Sequence, residues 1–205
     1  MTAQRTLDVS ELPPMAISSE APLWWGQLFL AFIEGTLLCT LIAMYYYYRL
    51  NLDVWPPPGI TYPQRLLPTI CLILLIASCY GSYTASEAAK KDDRARMIFG
   101  LVLNLVLACA ALILRGLEWS QWNFKWNSSS YGSIVWGIMF IHTVDVAADL
   151  AFTLVLVIIL VRGVYGVRQR LGVHVDSLVW YFLVAIWIPL YITISWGPIF
   201  VGAGR

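Results

Sequence analysis

An all-α bundle of five membrane-crossing helices is the fold this sequence predicts, and three observations predict it. The chain of 205 residues is 60% hydrophobic and only 12% charged, whereas soluble domains run nearer half apolar and a quarter charged. Its mean hydropathy is +0.71. Five apolar runs approach or exceed the roughly 20 residues a helix needs to cross hydrocarbon. None shows the period-two alternation of a membrane strand, and unpaired backbone groups in lipid force such runs into helices.

Residues 1–22 read as a polar N-terminal segment on the cytoplasmic side, with Asp8, Glu11, Glu20, Pro13 and Pro14 and one basic residue, Arg5. No basic start with an apolar stretch behind it marks a secretory leader, so the first span is expected to direct insertion itself. A membrane domain is expected over 23–205. Its spans are predicted at Trp24–Tyr48, Leu66–Tyr83, Met97–Leu114, Tyr131–Val161 and Ser177–Phe200. The fourth is long enough to tilt. Cys39, Cys71, Cys79 and Cys109 all fall within these runs and read as small buried hydrophobes.

The loops set the orientation. Arg5, the four basic residues between Glu87 and Arg96, and Arg162, Arg168 and Arg170 put eight basic residues on one side. Arg49, Arg65, Arg115, Lys125 and Arg205 put five on the other. Lys and Arg favour the cytoplasmic side, so the N-terminus is expected inside and the C-terminus outside. Trp24, Trp25, Tyr45–Tyr48, Trp119, Trp122 and Trp126 stand at span ends and read as an interfacial aromatic belt. A net charge of +1 provides no field to draw nucleic acid.

Four titratable residues interrupt the spans: Glu34, His142, Asp145 and Asp149. Groups of this kind cost a few kcal/mol or more at membrane depth, so they face other helices, pair, or stay neutral. His142, Asp145 and Asp149 share one face of the fourth helix by their i, i+3, i+7 spacing. Glu34 lies about a third of the way along the first span, at a depth Asp145 and Asp149 also reach. Three readings stand: a polar cluster that joins helices, a proton-handling or proton-modulating site, and a metal site. Di-metal carboxylate bundles use a Glu-x-x-His motif on each of two helices, and no such motif occurs. His174 is expected in a solvated loop. The chain has two histidines, one of them at membrane depth, which excludes a bis-histidine haem held within it. Nucleophile-elbow, zinc-protease, phosphate-loop and dinucleotide motifs are absent from the sequence.

A series of ordered motifs resembles the haem-copper oxidase (cytochrome c oxidase) subunit III family. It comprises Phe32-Ile33-Glu34-Gly35, Tyr46-Tyr47-Tyr48-Arg49, Trp55-Pro56-Pro57-Pro58-Gly59 and Ser82-Tyr83-Thr84 with Ala88. It continues through Glu118-Trp119, Tyr131-Gly132-Ser133, His142, Trp180, Trp187, Tyr191 and Trp196-Gly197. The resemblance covers Trp24 to Gly197 and fits the family's short, five-helix bacterial form. The chain departs from the family's pattern in its buried polar residues. Asp145 stands where the family has the second histidine of a His-x-x-His motif, and Asp149 where it has a small residue. Trp180-Tyr181-Phe182-Leu183-Val184 replaces a Trp-His-Phe-Val-Asp run, which marks a divergent branch.

The resemblance implies a non-catalytic accessory subunit of a terminal respiratory oxidase in the bacterial cytoplasmic membrane. Such a chain would hold no haem or copper of its own. It would pack beside a haem-copper catalytic subunit I and a subunit II, bind phospholipid, and support proton uptake. Glu34 matches the family's carbodiimide-reactive glutamate. Two alternatives are an accessory subunit of a nitric oxide reductase and a small proton-coupled transporter built on Glu34, Asp145 and Asp149.

Overall fold

The computed structural model describes residues 21–61, 64–164 and 166–197. It holds five helices, α1 (Pro22–Asn51), α2 (Leu66–Lys90), α3 (Arg94–Ser120), α4 (Ser130–Val161) and α5 (Val167–Ser195). All five are long and apolar enough to cross a membrane, as the hydropathy pattern predicts. Pro22 occupies the first turn of α1, where its missing N–H leaves no helix bond unmade. The side chains of Asp93 and Ser129 cap α3 and α4 by accepting from the N–H groups of Arg96 (3.0 Å) and Gly132 (3.1 Å).

The helices outrun the predicted spans at several ends. Only Lys91, Asp92 and Asp93 separate α2 from α3, so the charged stretch read as a loop from Glu87 to Arg96 is mostly helical. α3 continues past Leu114 to Ser120, and α5 begins ten residues before Ser177. Apolar length measures the hydrocarbon crossing, while a helix carries on until a cap or turn ends it. Residues 1–20 and 198–205, with the predicted N-terminal segment and the end of the fifth span, lie outside the described residues.

The helices alternate up and down, and contacts at each end fix this. At the end holding the start of α1, Arg94 Nε and Nη2 donate to the Leu160 and Val161 carbonyls of α4 at 2.9 and 3.2 Å. Arg94 thereby satisfies carbonyls that a helix C-terminus leaves unpaired. Nearby, Asp92 pairs with Arg170 at 3.2 Å, and Ala21 packs with Leu171 and Val175. At the opposite end the Trp196 indole donates to the Tyr191 hydroxyl at 3.1 Å, and Tyr191 shares a 2.6 Å hydrogen bond with Thr69. There Arg65 donates to the Ser195 carbonyl at 3.2 Å and lies over the Trp196 ring.

α5 is the most enclosed helix, packed on α1, α2 and α4. The closest approach joins α2 and α3. A Cβ on Gly81 would come within 2.7 Å of the Gly100 carbonyl and the Asn104 nitrogen, and one on Gly100 within 2.6 Å of Gly81 and Ala85 backbone. Small residues at such contacts let membrane helices associate through backbone proximity, because lipid supplies no hydrophobic drive between them.

α1 is the outlier, with only Leu38 and Tyr45 fully buried, both in its second half. Aromatic residues tie this half to the bundle. Tyr45, Trp55, Tyr131, Phe124, Trp122, Trp136 and Trp119 form a chain of ring contacts with centroids 5.0–5.5 Å apart. Part of the predicted interfacial belt also serves internal packing: Tyr45 is buried and Trp119 and Trp122 are partly so, while Trp25, Tyr47 and Trp126 keep outward positions. The cysteines divide similarly. Cys71 is buried and Cys79 partly so, but Cys39 and Cys109 are exposed on outer helix faces, where a small apolar side chain suits lipid as well as it suits a core.

Candidate functional site

The four polar residues singled out in the spans do not form one cluster. They fall into two centres, stacked along α4. Seven residues on one helix face span about 10 Å of axis, and neighbouring helices cross at an angle, so one face meets different partners at each depth.

The first centre surrounds His142, which is fully buried. Arg115 Nη1 donates to His142 Nδ1 at 2.8 Å, and His142 Nε2 lies 3.0 Å from the Leu183 carbonyl. A guanidinium only donates, so Nδ1 accepts and Nε2 carries the proton. Arg115 also donates to Thr143 Oγ1 (3.1 Å) and to Cys71 Sγ (3.6 Å). Its guanidinium sits 3.8 Å from the centroid of the Trp187 ring, and the His142 imidazole stacks on that same indole at 4.7 Å. Burial strengthens a cation held over an aromatic face. Arg115 was read as a loop charge, but it is 2% exposed and belongs to the bundle's interior, with Glu118 one turn on and also buried.

The second centre is a cleft of about 340 Å³ between α1, α4 and α5. Glu34, Asp145 and Asp149 line it together with Gln27, and the rest of its wall is mainly Leu23, Leu30, Phe152, Val175, Val179 and Leu183. Asp149 is 8% exposed, and its Oδ2 and that of Asp145 have no hydrogen-bond partner. Behind Asp149 lies Asp176 of α5, which is fully enclosed. Thr153 donates to Asp176 Oδ1 and to the Asp149 carbonyl, each at 3.0 Å. Glu34 of α1 thus lines the same cleft as Asp145 and Asp149 of α4. Asp176 was missed because it lies one residue before the predicted fifth span.

His174 stands within α5, half-buried, and shares a 2.8 Å hydrogen bond with Ser86 of α2. This corrects the solvated-loop expectation, since α5 starts earlier than its apolar run. Among the described residues, no group of three or more His, Cys, Asp or Glu side chains is arranged to hold a metal ion. The donor set does not suit haem either, because Arg115 and the Leu183 carbonyl occupy both nitrogens of His142.

The other motif residues serve packing. Trp55 and Tyr131 meet at 5.1 Å. Gly132 lies so close to the Lys125 carbonyl that a Cβ would collide with it. Asn123 donates to the Gly59 carbonyl at 2.9 Å, which joins the two loops at that end, and Trp119 packs on Trp136. Pro56 and Pro57, next to Trp55, are part of the first of these loops and are partly buried.

Comparison with known proteins agrees with this architecture. The family model of cytochrome c oxidase subunit III matches residues 15–198. Curated relatives carry the name cytochrome c oxidase subunit 3. The protein of Rhizopus stolonifer is 27% identical over 143 residues, covering 69% of this chain and 50% of the relative. That of the cyanobacterium Synechocystis is 23% identical over 174 residues, covering 83% of this chain and 73% of the relative. That of Trichophyton rubrum is 28% identical over 145 residues, covering 70% and 54%. The chain thus spans about half the length of the fungal relatives it matches. A match over most of the sequence, on five apolar helices in the expected order, makes this multi-pass membrane protein a member of the cytochrome c oxidase subunit III family.

Proposed function

We propose that this chain is a non-catalytic accessory subunit of a terminal respiratory haem-copper oxidase in a bacterial cytoplasmic membrane. It packs beside the catalytic subunit that carries haem and copper, and beside a second subunit. It binds membrane phospholipid and supports proton uptake, and it holds no cofactor of its own. The observation that carries this reading is the family match along 15–198. The buried polar groups support it too. Those around His142 join helices, and Glu34, Asp145 and Asp149 line a small cleft.

The proposed orientation keeps the start of α1 in the cytoplasm. Arg115 no longer counts as a loop charge once it is placed in the interior, which leaves four basic residues against eight and sharpens the asymmetry.

Purification from native membrane in mild detergent tests the assignment. A large partner with a haem absorption spectrum is expected to co-purify. A haem-free homo-oligomer with no second polypeptide refutes the assignment.

A further inference from the structure

Arg115 is enclosed, permanently charged and shared by four helices. From α3 it reaches His142 and Thr143 of α4 and Cys71 of α2, and its guanidinium covers the Trp187 ring of α5. All of these partners are neutral. His142 accepts at Nδ1 and keeps one proton on Nε2, so it carries no charge. A charge held away from water needs an opposite charge as well as hydrogen bonds, and none of these groups supplies one.

Glu118 stands one turn further along α3, on the same face, and is 3% exposed. Its carboxyl lies within electrostatic reach of both Arg115 and Cys71. Asp145 and Asp149 of α4 face the cleft beside α1 instead. Glu118 is thus the acid placed to balance Arg115, yet the two make no direct hydrogen bond. Among the described residues, Glu118 Oε2 has no hydrogen-bond partner, and neither has Arg115 Nε. Nε is the guanidinium nitrogen nearest its own helix, on which Glu118 stands. A third such atom belongs to Trp187, whose ring the guanidinium covers and whose indole nitrogen is buried without a partner.

Two donors and one acceptor are therefore enclosed around one guanidinium. Such a set suits an interior water, which makes about two to four hydrogen bonds to buried polar groups. A water also spans a donor and an acceptor that do not meet directly, with little loss of enthalpy. A metal ion does not suit the set, because a guanidinium and an indole only donate.

We propose that Glu118 is the ionised counter-charge of Arg115 and that one enclosed water joins them. The water accepts from Arg115 Nε and Trp187 Nε1 and donates to Glu118 Oε2. The bridge holds the guanidinium from the side of its own helix, while the terminal nitrogens hold α2 and α4. It stands apart from the accessory-subunit reading and does not depend on it.

The test begins with the wild-type protein, purified from native membrane in mild detergent with the partners it carries. A map fine enough to show ordered water is expected to place a water within hydrogen-bond distance of Glu118 Oε2 and Arg115 Nε. A direct carboxylate–guanidinium contact overturns the water, and a Glu118 carboxyl turned away from Arg115 overturns the pairing. This measurement needs no variant to fold. In infrared spectra at neutral pH, Glu118→Gln is expected to leave the area of the protonated-carboxyl C=O band unchanged. A loss of area shows that Glu118 holds a proton and overturns the ionised pair. Glu118→Gln is also expected to lower the unfolding temperature, because Arg115 stays enclosed without an opposite charge. Combined with Arg115→Gln, the total drop is expected to be smaller than the sum of the two single drops. Additive drops show that the two side chains are not coupled and overturn the proposal.

Discussion

A buried guanidinium needs acceptors and gains from an aromatic face, and the two terminal nitrogens of Arg115 have both, while its Nε has no hydrogen-bond partner. Its geometry is specific to arginine. One terminal nitrogen reaches His142 and Thr143, the other reaches Cys71, and the guanidinium carbon sits 3.8 Å from the centroid of the Trp187 ring. A lysine ammonium cannot reproduce this fork or stack. Arg115→Gln leaves His142 Nδ1 without its cationic donor and removes the ring contact, and a buried polar atom left unpaired costs about 1–3 kcal/mol. Both Arg115→Gln and Arg115→Lys are therefore expected to lower the unfolding temperature of the detergent-solubilised protein. Full stability in Arg115→Lys would show that charge alone is required. The sequence carried a signal for this residue. Met97, Gly100, Leu101, Asn104, Ala108, Ala111, Arg115 and Glu118 are the buried positions of α3 and recur at helical spacing. In a membrane helix such a stripe of small and polar residues marks the inward face. Counting apolar length alone ended the span at Leu114 and hid it. Glu34, Asp145 and Asp149 were legible because lipid excludes isolated charges; which partner each one meets depends on helix crossing angles, which no single-helix pattern contains.

At the scale of elements, the α2–α3 contact sets a limit on side-chain size. The atoms that an added Cβ would meet at Gly81 and Gly100 are backbone, at 2.6–2.7 Å, and cannot swing aside. Gly81→Ala and Gly100→Ala thus force the helices apart, and overpacking of this kind costs about 1–3 kcal/mol. Gly116 has nothing within 4 Å of a built Cβ. There alanine is expected to stabilise slightly, by up to about 1 kcal/mol, because it is the better helix former. Unfolding curves of the three variants in mixed detergent check this. Equal behaviour of Gly100→Ala and Gly116→Ala would count against close backbone packing. Element number and order were readable from hydropathy, since hydrocarbon thickness prescribes how long an apolar run must be. The ends were not, because they depend on caps and on contacts such as Arg94 with α4, which lie outside the apolar runs.

For the whole molecule, the two ends of the bundle differ in chemistry, and this difference predicts its direction in the membrane. One end concentrates Lys90, Lys91, Arg94, Arg96, Arg162, Arg168 and Arg170 around short turns. The other is an aromatic plate closed by Trp55, Trp122, Phe124 and Tyr131, with Asn123 clasping the two loops. Short loops rich in Lys and Arg stay on the cytoplasmic side during insertion, and the acids beside them count little in that rule. Lys91 and Ser128 are exposed at opposite ends, and Ser128 gives up only its local hydrogen bond to the Lys125 carbonyl, so a cysteine at either position reports direction. In intact cells, a membrane-impermeant maleimide is expected to label Ser128→Cys. Lys91→Cys is expected to react only after the cells are opened. The native Cys39 and Cys109 face outward from spanning helices, where a water-soluble reagent does not reach. The reverse pattern would invert the bundle.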